Sequence, residues 1–452
     1  MTGIALIIAF VVAIAAMIVL ISKFKVHPFL TIMGISLLLA LVAGLPLWQI
    51  PGIIGQGFSA TFTSIGIVIV LGAFIGAVLE KTGAALKLAD IVIRLVGKKR
   101  PELAVELMGW VVSIPVFCDS GFVILDPIRR ALARRTATSS VTLTICLSCG
   151  LYVAHVFIPP TPGPIAAAQT LGAGENLLLV MGIGVLCSIF PLIAGYFFAR
   201  RIGKKIVSAE TDGADVTGSA YEDLLASYGR LPSGLASLAP LVVPILLMAL
   251  SSVSAMAGWE GQIAEIAAFL GAPIIALAVG AVLAICLLLG SGKKEEFYNL
   301  TNDTLKTVGP ILLVTAAGGV LGKVIASSDM VNFITEHATV MQTLGIFFPF
   351  LLAAILKSAQ GSSTVAITTT AGIVAPMLAV LGFVTPVQIA LVVMAIGAGA
   401  MTVSHANDSY FWVVTNFGGL SPSDGYRSHT MMTLVIGLAS IAEIFLLSLV
   451  LI

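Results

Sequence analysis

This chain carries little charge. Asp, Glu, Lys and Arg together make up 10% of its 452 residues, against 58% hydrophobic. So few polar side chains cannot coat a globular surface, which excludes a soluble fold and implies a polytopic membrane protein. The 22 acidic and 23 basic residues nearly cancel, leaving no basic excess to attract nucleic acid. Cysteine is sparse too. The five present, Cys118, Cys146, Cys149, Cys187 and Cys286, fall in or beside apolar segments, which argues against a disulfide framework or a zinc site. Enzyme signatures are missing: there is no Gly-rich phosphate loop with its lysine, no His pair on a helix with a Glu, and no nucleophile elbow. The chain does not read as an enzyme and needs no cofactor.

Long apolar runs are abundant. Segments of about 20 residues, the length a bilayer requires, occur at roughly 3–22, 27–46, 60–80, 139–158, 176–199, 235–254, 271–290, 307–326, 387–406 and 430–451. These predict ten spans, the first without the basic start and cleavage site of a signal peptide. Two further regions, about 101–135 and 341–380, are apolar but interrupted by CDSG (Cys118 to Gly121) and QGSS (Gln360 to Ser363). Hydroxyl-rich, irregular backbone at membrane depth is tolerated only inside protein or beside a wet cavity, so both regions predict re-entrant hairpins.

The positive-inside rule supports that count. With both termini outside, 21 of the 23 basic residues fall on the cytoplasmic side, leaving only Lys323 and Lys357. The bias survives only if neither hairpin crosses the membrane, the first entering from the cytoplasm and the second from outside. An internal repeat points the same way. Gly72 and Gly76 recur as Gly318 and Gly322, 246 residues on, Pro127 as Pro376, 249 on, and His155 as His405, 250 on. The predicted organisation is a first repeat over 1–200 with its hairpin at about 101–135, a cytoplasmic linker over 201–234, and a second, inverted repeat over 235–452 with its hairpin at about 341–380. Amphipathic pieces after the third and eighth spans, AALKLADIVIRLVGKK and SSDMVNFITEHATVM, suit helices along the membrane surface.

Four stretches put polar residues where lipid does not tolerate them. The first hairpin tip carries Asp119 with Ser120 and Gly121, and an ionisable group at that depth suits proton uptake and release. Asp126 suits pairing with Arg129 or Arg130. The second stretch runs from His155 into PPTPGP, with Thr161 and Gly163 among Pro159, Pro160, Pro162 and Pro164, where a span must break. The alternative is a span that simply ends there, with His155 bonded in the core. The third is the second hairpin tip, Gly361, Ser362, Ser363 and Thr364, preceded by Lys357, which either meets an anionic substrate or snorkels to an interface. The fourth ends the ninth span with Ser404, His405, Asn407 and Asp408. His155 and His405 at equivalent points of the two copies suit a proton relay, or serve as paired structural histidines.

These motifs, FCDSGFV at 117–123, AHVFIPPTPGP at 154–164, GSSTVAITTTAGIVAP at 361–376 and SHANDSYFW at 404–412, resemble the gluconate permease family, in the same order over nearly the whole chain. The resemblance implies proton-coupled transport of gluconate and related small hydroxy acids. It also implies an elevator arrangement, often dimeric, in which a scaffold of outer spans carries a mobile part holding both hairpins and the broken helices. Asp119 matches the acidic residue of the family's first motif and Lys357 the basic residue before its third. Thr161 departs from the His usual in gluconate members, which points to a different substrate.

The expected fold is therefore an all-α polytopic inner-membrane protein of about ten transmembrane helices plus two hairpins, a homodimer taking a small anionic solute. Substrate would be held by Ser120, Gly121, Thr161, Gly163, Lys357, Gly361, Ser362, Ser363, Thr364, Ser404, His405, Asn407 and Asp408, and protons by Asp119, His155 and His405. The alternatives are a carrier of glycerate, D-serine or another small anion, or one coupled to sodium through the hairpin tips, and, from another class, an anion channel.

Overall fold

The computed structural model describes residues 4–96, 100–209, 231–329, 344–405 and 408–451, and every regular element among them is helical. Most of the predicted linker (210–230), the second amphipathic segment (330–343) and Asn407 lie outside the described residues.

In the first half, α1 (Ile4–Ser22), α2 (Pro28–Val42) and the 32-residue α3 (Ile50–Lys81) lead to α4 (Ala84–Val96), which turns away from α3 by 78°. A helix–break–helix follows, α5 (Pro101–Ser113) and α6 (Cys118–Thr136), then α7 (Ser140–Phe157) and the nine-residue α8 (Pro162–Thr170). The half closes with α9 (Leu177–Leu186) and α10 (Ile189–Ile202).

The second half begins with α11 (Gly234–Met256), α12 (Gly261–Gly271), α13 (Pro273–Gly290) and the 31-residue α14 (Phe297–Ser327). Another helix–break–helix, α15 (Phe347–Gln360) and α16 (Ser363–Val374), precedes α17 (Pro386–Met401) and the nine-residue α18 (Ser409–Phe417). The final α19 (Met431–Leu451) follows a π-helical turn at Tyr426–Thr430.

By length and apolarity, six described helical stretches can cross a membrane, or seven with the bent α3–α4 pair. That is fewer than the ten spans expected, because segments such as Pro28–Val42 and Pro386–Met401 form helices of only 10–17 residues. Local chemistry sets many of the ends. Ser139 caps α7, Ser362 caps α16, and Thr385 and Gln388 form a capping box on α17. Two expected breaks shift for a physical reason. CDSG opens α6 instead of interrupting the hairpin, because the disruption comes earlier, around Pro115. Of the PPTPGP prolines, Pro162 and Pro164 sit in the first turn of α8, where proline is tolerated; the break itself covers 158–161.

The helices sort into two groups. In one, α3 and α14 lie side by side, with α13 against α3 and α2 against α14. The other surrounds α7 and α17, which are buried over Val141–Phe157 and Ala390–Met401. Helices enclosed on all sides need no polar face for solvent, so the few polar side chains they carry point at other protein groups. Within this group α5 packs on α7, α15 on α17, and each arm of a helix–break–helix packs on its partner.

The repeated glycines lie where the two groups touch. A Cβ on Gly72 or Gly76 of α3 would strike the Pro160 or Pro115 carbonyl, and one on Gly322 of α14 the Gly372 carbonyl of α16. Small residues four apart let backbones approach this closely, which is how association proceeds where lipid offers no hydrophobic drive. Gly322→Val should therefore cost about 1–3 kcal/mol by overpacking against α16, read as a lowered Tm in detergent; an unchanged Tm would mean the contact is not close.

Candidate functional site

The second helix–break–helix and the second broken span meet in a buried ion pair. Lys357 Nζ, in the last turn of α15, lies 2.5 Å from Asp408 Oδ2 at the N-cap of α18, and the two residues are 1% and 5% exposed. Gly361 makes this possible: its left-handed φ of 89° ends α15, and its carbonyl accepts from the same ammonium. The ammonium also lies 5.7 Å from the centre of the Tyr152 ring.

Asp408 is equally well supplied. Its Oδ2 accepts from Ser404 Oγ at 2.5 Å and Tyr152 Oη at 3.5 Å, and its Oδ1 from the Tyr410 N–H at 3.1 Å. Behind it, His429 is fully buried and bridges two hydroxyls, Nε2 to Ser404 Oγ and Nδ1 to Ser148 Oγ, both at 3.0 Å. Tyr410 Oη donates to the Ser148 carbonyl at 3.2 Å. Charges and dipoles thus form one continuous network, the condition under which a buried ion pair is tolerated.

The first helix–break–helix reaches the same place from the other side. Asp119 Oδ1 accepts from Ser409 Oγ at 3.1 Å, joining the N-terminus of α6 to that of α18. Further along α6, Asp126 pairs with Arg129 and Arg130, as its spacing predicts, and both guanidiniums donate to the Phe417 carbonyl at the end of α18. Helix α6 therefore holds α18 at both ends. On the opposite side α8 packs on α16, where Gly163 lies against Ile367. Helix N-termini carry partial positive charge, so the starting ends of α6, α16 and α18 near the pair favour an anion.

The two histidines face their own hairpins. His155 is buried, its ring 5.9 Å from that of Phe117 in the first break, and its Nδ1 has no hydrogen-bond partner. His405 Nε2 lies 3.1 Å from the Ser358 carbonyl. Of the other expected residues, Thr161 donates to the Ile158 carbonyl at 2.7 Å, Ser362 caps α16, and Ser363 and Thr364 are buried on it. Gly121 faces Leu151 of α7.

Two cavities flank the contacts between the helix groups. One of about 450 Å³ is lined by Gly76, Glu80, Phe117, Ser120, Asp303 and Thr307, and so reaches the first hairpin tip. The other, about 900 Å³ and more open, is lined by Thr63, Gln169, Gly322, Lys323, Gly372 and Pro376. Gly76 lines the first and Gly322 the second. Sequence reasoning missed Tyr152, Ser148, Tyr410 and His429. Tyr152 and Ser148 hide in an apolar span, and His429 lies one residue outside the last run, in a polar stretch that reads as a loop.

A family model described as GntP family permease matches residues 5–450. The chain belongs to the GntP permease family. It is 34% identical over 426 residues to an uncharacterized permease of Haemophilus influenzae, covering 92% of this chain and 86% of that protein. It is 31% identical over 442 residues to the low-affinity gluconate transporter of Escherichia coli, and 31% over 445 residues to the gluconate permease of Pseudomonas aeruginosa, covering 97% of both partners in each case. Among solved structures, MtrF of Neisseria gonorrhoeae superimposes with a TM-score of 0.65 at 14% identity, over 94% of this chain and 96% of that one. The YdaH transporter of Alcanivorax borkumensis gives 0.62 at 15%, over 94% and 99%. This GntP-family chain is thus an integral membrane permease and not an enzyme, on a fold shared with distant transporters.

Removing one partner of a buried pair leaves the other charge stranded, at about 3–5 kcal/mol. Lys357→Met should therefore lower the Tm sharply, and adding Asp408→Asn should recover most of the loss. A double variant no more stable than the single one would show that the pair is not a closed electrostatic unit.

Proposed function

We propose that this chain is a secondary active transporter of the inner membrane, taking up gluconate or a related small hydroxycarboxylate together with protons. The observation that carries the reading is the buried Lys357–Asp408 pair where a hairpin meets a broken helix, ringed by hydroxyls and helix N-termini. A lysine with one carboxylate already in place is a ready partner for another. Relatives named gluconate permease or transporter, at 28–31% identity over nearly the full chain, supply the substrate class. Ser362, Ser363, Thr364, Ser404 and Asn407 would take the substrate's hydroxyls; Asp119, His155 and His405 are the titratable groups that would serve the proton.

The membrane arrangement belongs to the same proposal. Helices α5, α15 and α16, of 13, 14 and 12 residues, extend about 18–21 Å at 1.5 Å per residue, short of the roughly 30 Å hydrocarbon core. Each helix–break–helix would dip in and return, one from each face, as expected of two inverted copies. The paired long helices α3 and α14 would form the scaffold of an elevator, in a homodimer, and the glycine contacts its sliding surface. Thr161, small and already bonded to the Ile158 carbonyl, favours a second reading in which the preferred acid is shorter, such as glycerate.

The test is counterflow in proteoliposomes against gluconate, other sugar acids, glycerate and D-serine, with internal pH recorded. Saturable exchange of gluconate, and uptake driven by an inward proton gradient, are expected. Uptake that requires sodium at constant pH, or flux that never saturates, would replace this account with the sodium-coupled carrier or the channel.

A further inference from the structure

The geometry points to Asp408 as the residue that couples proton to substrate, through exchange of carboxylates on Lys357. The inference rests on the reading that the solute is an organic acid, and it deepens that reading.

Lys357 donates to the Gly361 carbonyl and to Asp408, and its ammonium lies 5.7 Å from the centre of the Tyr152 ring. With 1% of its surface exposed it has no water to fall back on. A substrate carboxylate that pairs with this buried ammonium therefore competes with Asp408 for it. An Asp408 displaced while still charged would be a second buried anion without a cation. Protonated, it becomes an acid that can donate to Ser404 Oγ and still accept from the Tyr410 N–H at the head of α18.

Charge balance then selects two states. Empty, the site holds Lys357 as ammonium and Asp408 as carboxylate. Loaded, it holds the ammonium, the substrate carboxylate and Asp408 as the neutral acid. Both sum to zero. Loading without the proton leaves one unpaired negative charge and protonation without loading one unpaired positive charge, and each should be roughly a hundred- to a thousandfold rarer. In a cycle the proton passes from the outer aqueous side to Asp408 as substrate binds. It leaves on the inner side as substrate departs and Asp408 pairs again with Lys357. One proton and one monoanion move together, with no net charge.

Other ionisable groups face this centre from each surrounding element. From α6 come Asp119 and Cys118, from α7 His155 and Tyr152, and from the last π-helical turn His429, one hydroxyl away through Ser404. Asp119, bonded to Ser409, lies between the 450 Å³ cavity at Ser120 and the pair, on the path a proton or substrate would take from that side.

The experiment is net uptake of radiolabelled gluconate into proteoliposomes with a lumenal pH dye, the potential being clamped by potassium and valinomycin. Expected for the native protein are one proton per gluconate and a rate unaffected by potential of either sign. In Asp408→Asn, whatever gluconate moves should carry no proton, and its counterflow should lose its acceleration by acid. Potential-dependent uptake by the native protein, a proton ratio other than one, or one proton per gluconate in Asp408→Asn would each overturn the inference. The native measurement decides even if the variant does not fold. The two readings fail separately. Gluconate moving without a proton sinks the coupling and leaves the substrate standing. Glycerate moving one-to-one with a proton while gluconate does not sinks the substrate and supports the coupling.

Discussion

A charge inside a membrane protein must be neutralised locally, and every feature around Lys357 and Asp408 follows from that requirement. An uninterrupted helix offers no spare backbone groups, so α15 ends at Gly361, α17 ends at Met401 and α18 begins afresh at Ser409. These breaks free the Gly361 carbonyl for the ammonium and the Tyr410 N–H for the carboxylate. Ser404, Tyr152 and, through Ser404, His429 complete the set. The irregular backbone is thus the means by which a neutral, fully bonded polar centre is built at the core of an apolar chain.

A second constraint works at the boundary between the two helix groups. Glycines at 72, 76, 318, 322 and 372 bring α3 and α14 to within backbone contact of the breaks and hairpin arms. Contacts between bare backbones carry little interlocking relief compared with large side chains. A boundary of that kind can change register at lower cost than one of interdigitated leucines. Of these, Gly76, Gly322 and Gly372 also line the two cavities that flank the boundary, so close approach and open space adjoin along one pair of helices.

Much of this was legible in the sequence because membranes punish polar residues. The positions that stood out, Asp119, Lys357, Ser404 and Asp408, do so in apolar surroundings; Lys357 and Ser404 both bond to Asp408, and Asp119 bonds to Ser409 beside it. The glycines at 72, 76, 318 and 322 were legible by their spacing, and each lies in close contact with a neighbouring backbone. What sequence could not supply was pairing. Lys357 reads as a group awaiting an anion, yet it already has one 51 residues along the chain. Tyr152 and Ser148 were invisible because an apolar span conceals a hydroxyl that a neighbouring helix satisfies. His429 was hidden by its setting in a polar turn, and only the fold carries that turn inward. The breaks were located to within a few residues; proline's tolerance in a first helical turn explains the remaining shift at Pro162.

The claim at the centre is that two helical hairpins, entering from opposite faces, bring their tips to one neutral polar centre. Single cysteines at Ser120 and Ser362, in a background freed of the five native cysteines, can be labelled with a membrane-impermeant thiol reagent added to either side. The account predicts labelling of the first from the cytoplasmic face and of the second from the periplasmic face, both slowed by saturating gluconate. Labelling of both from the same face alone, indifferent to substrate, would contradict it.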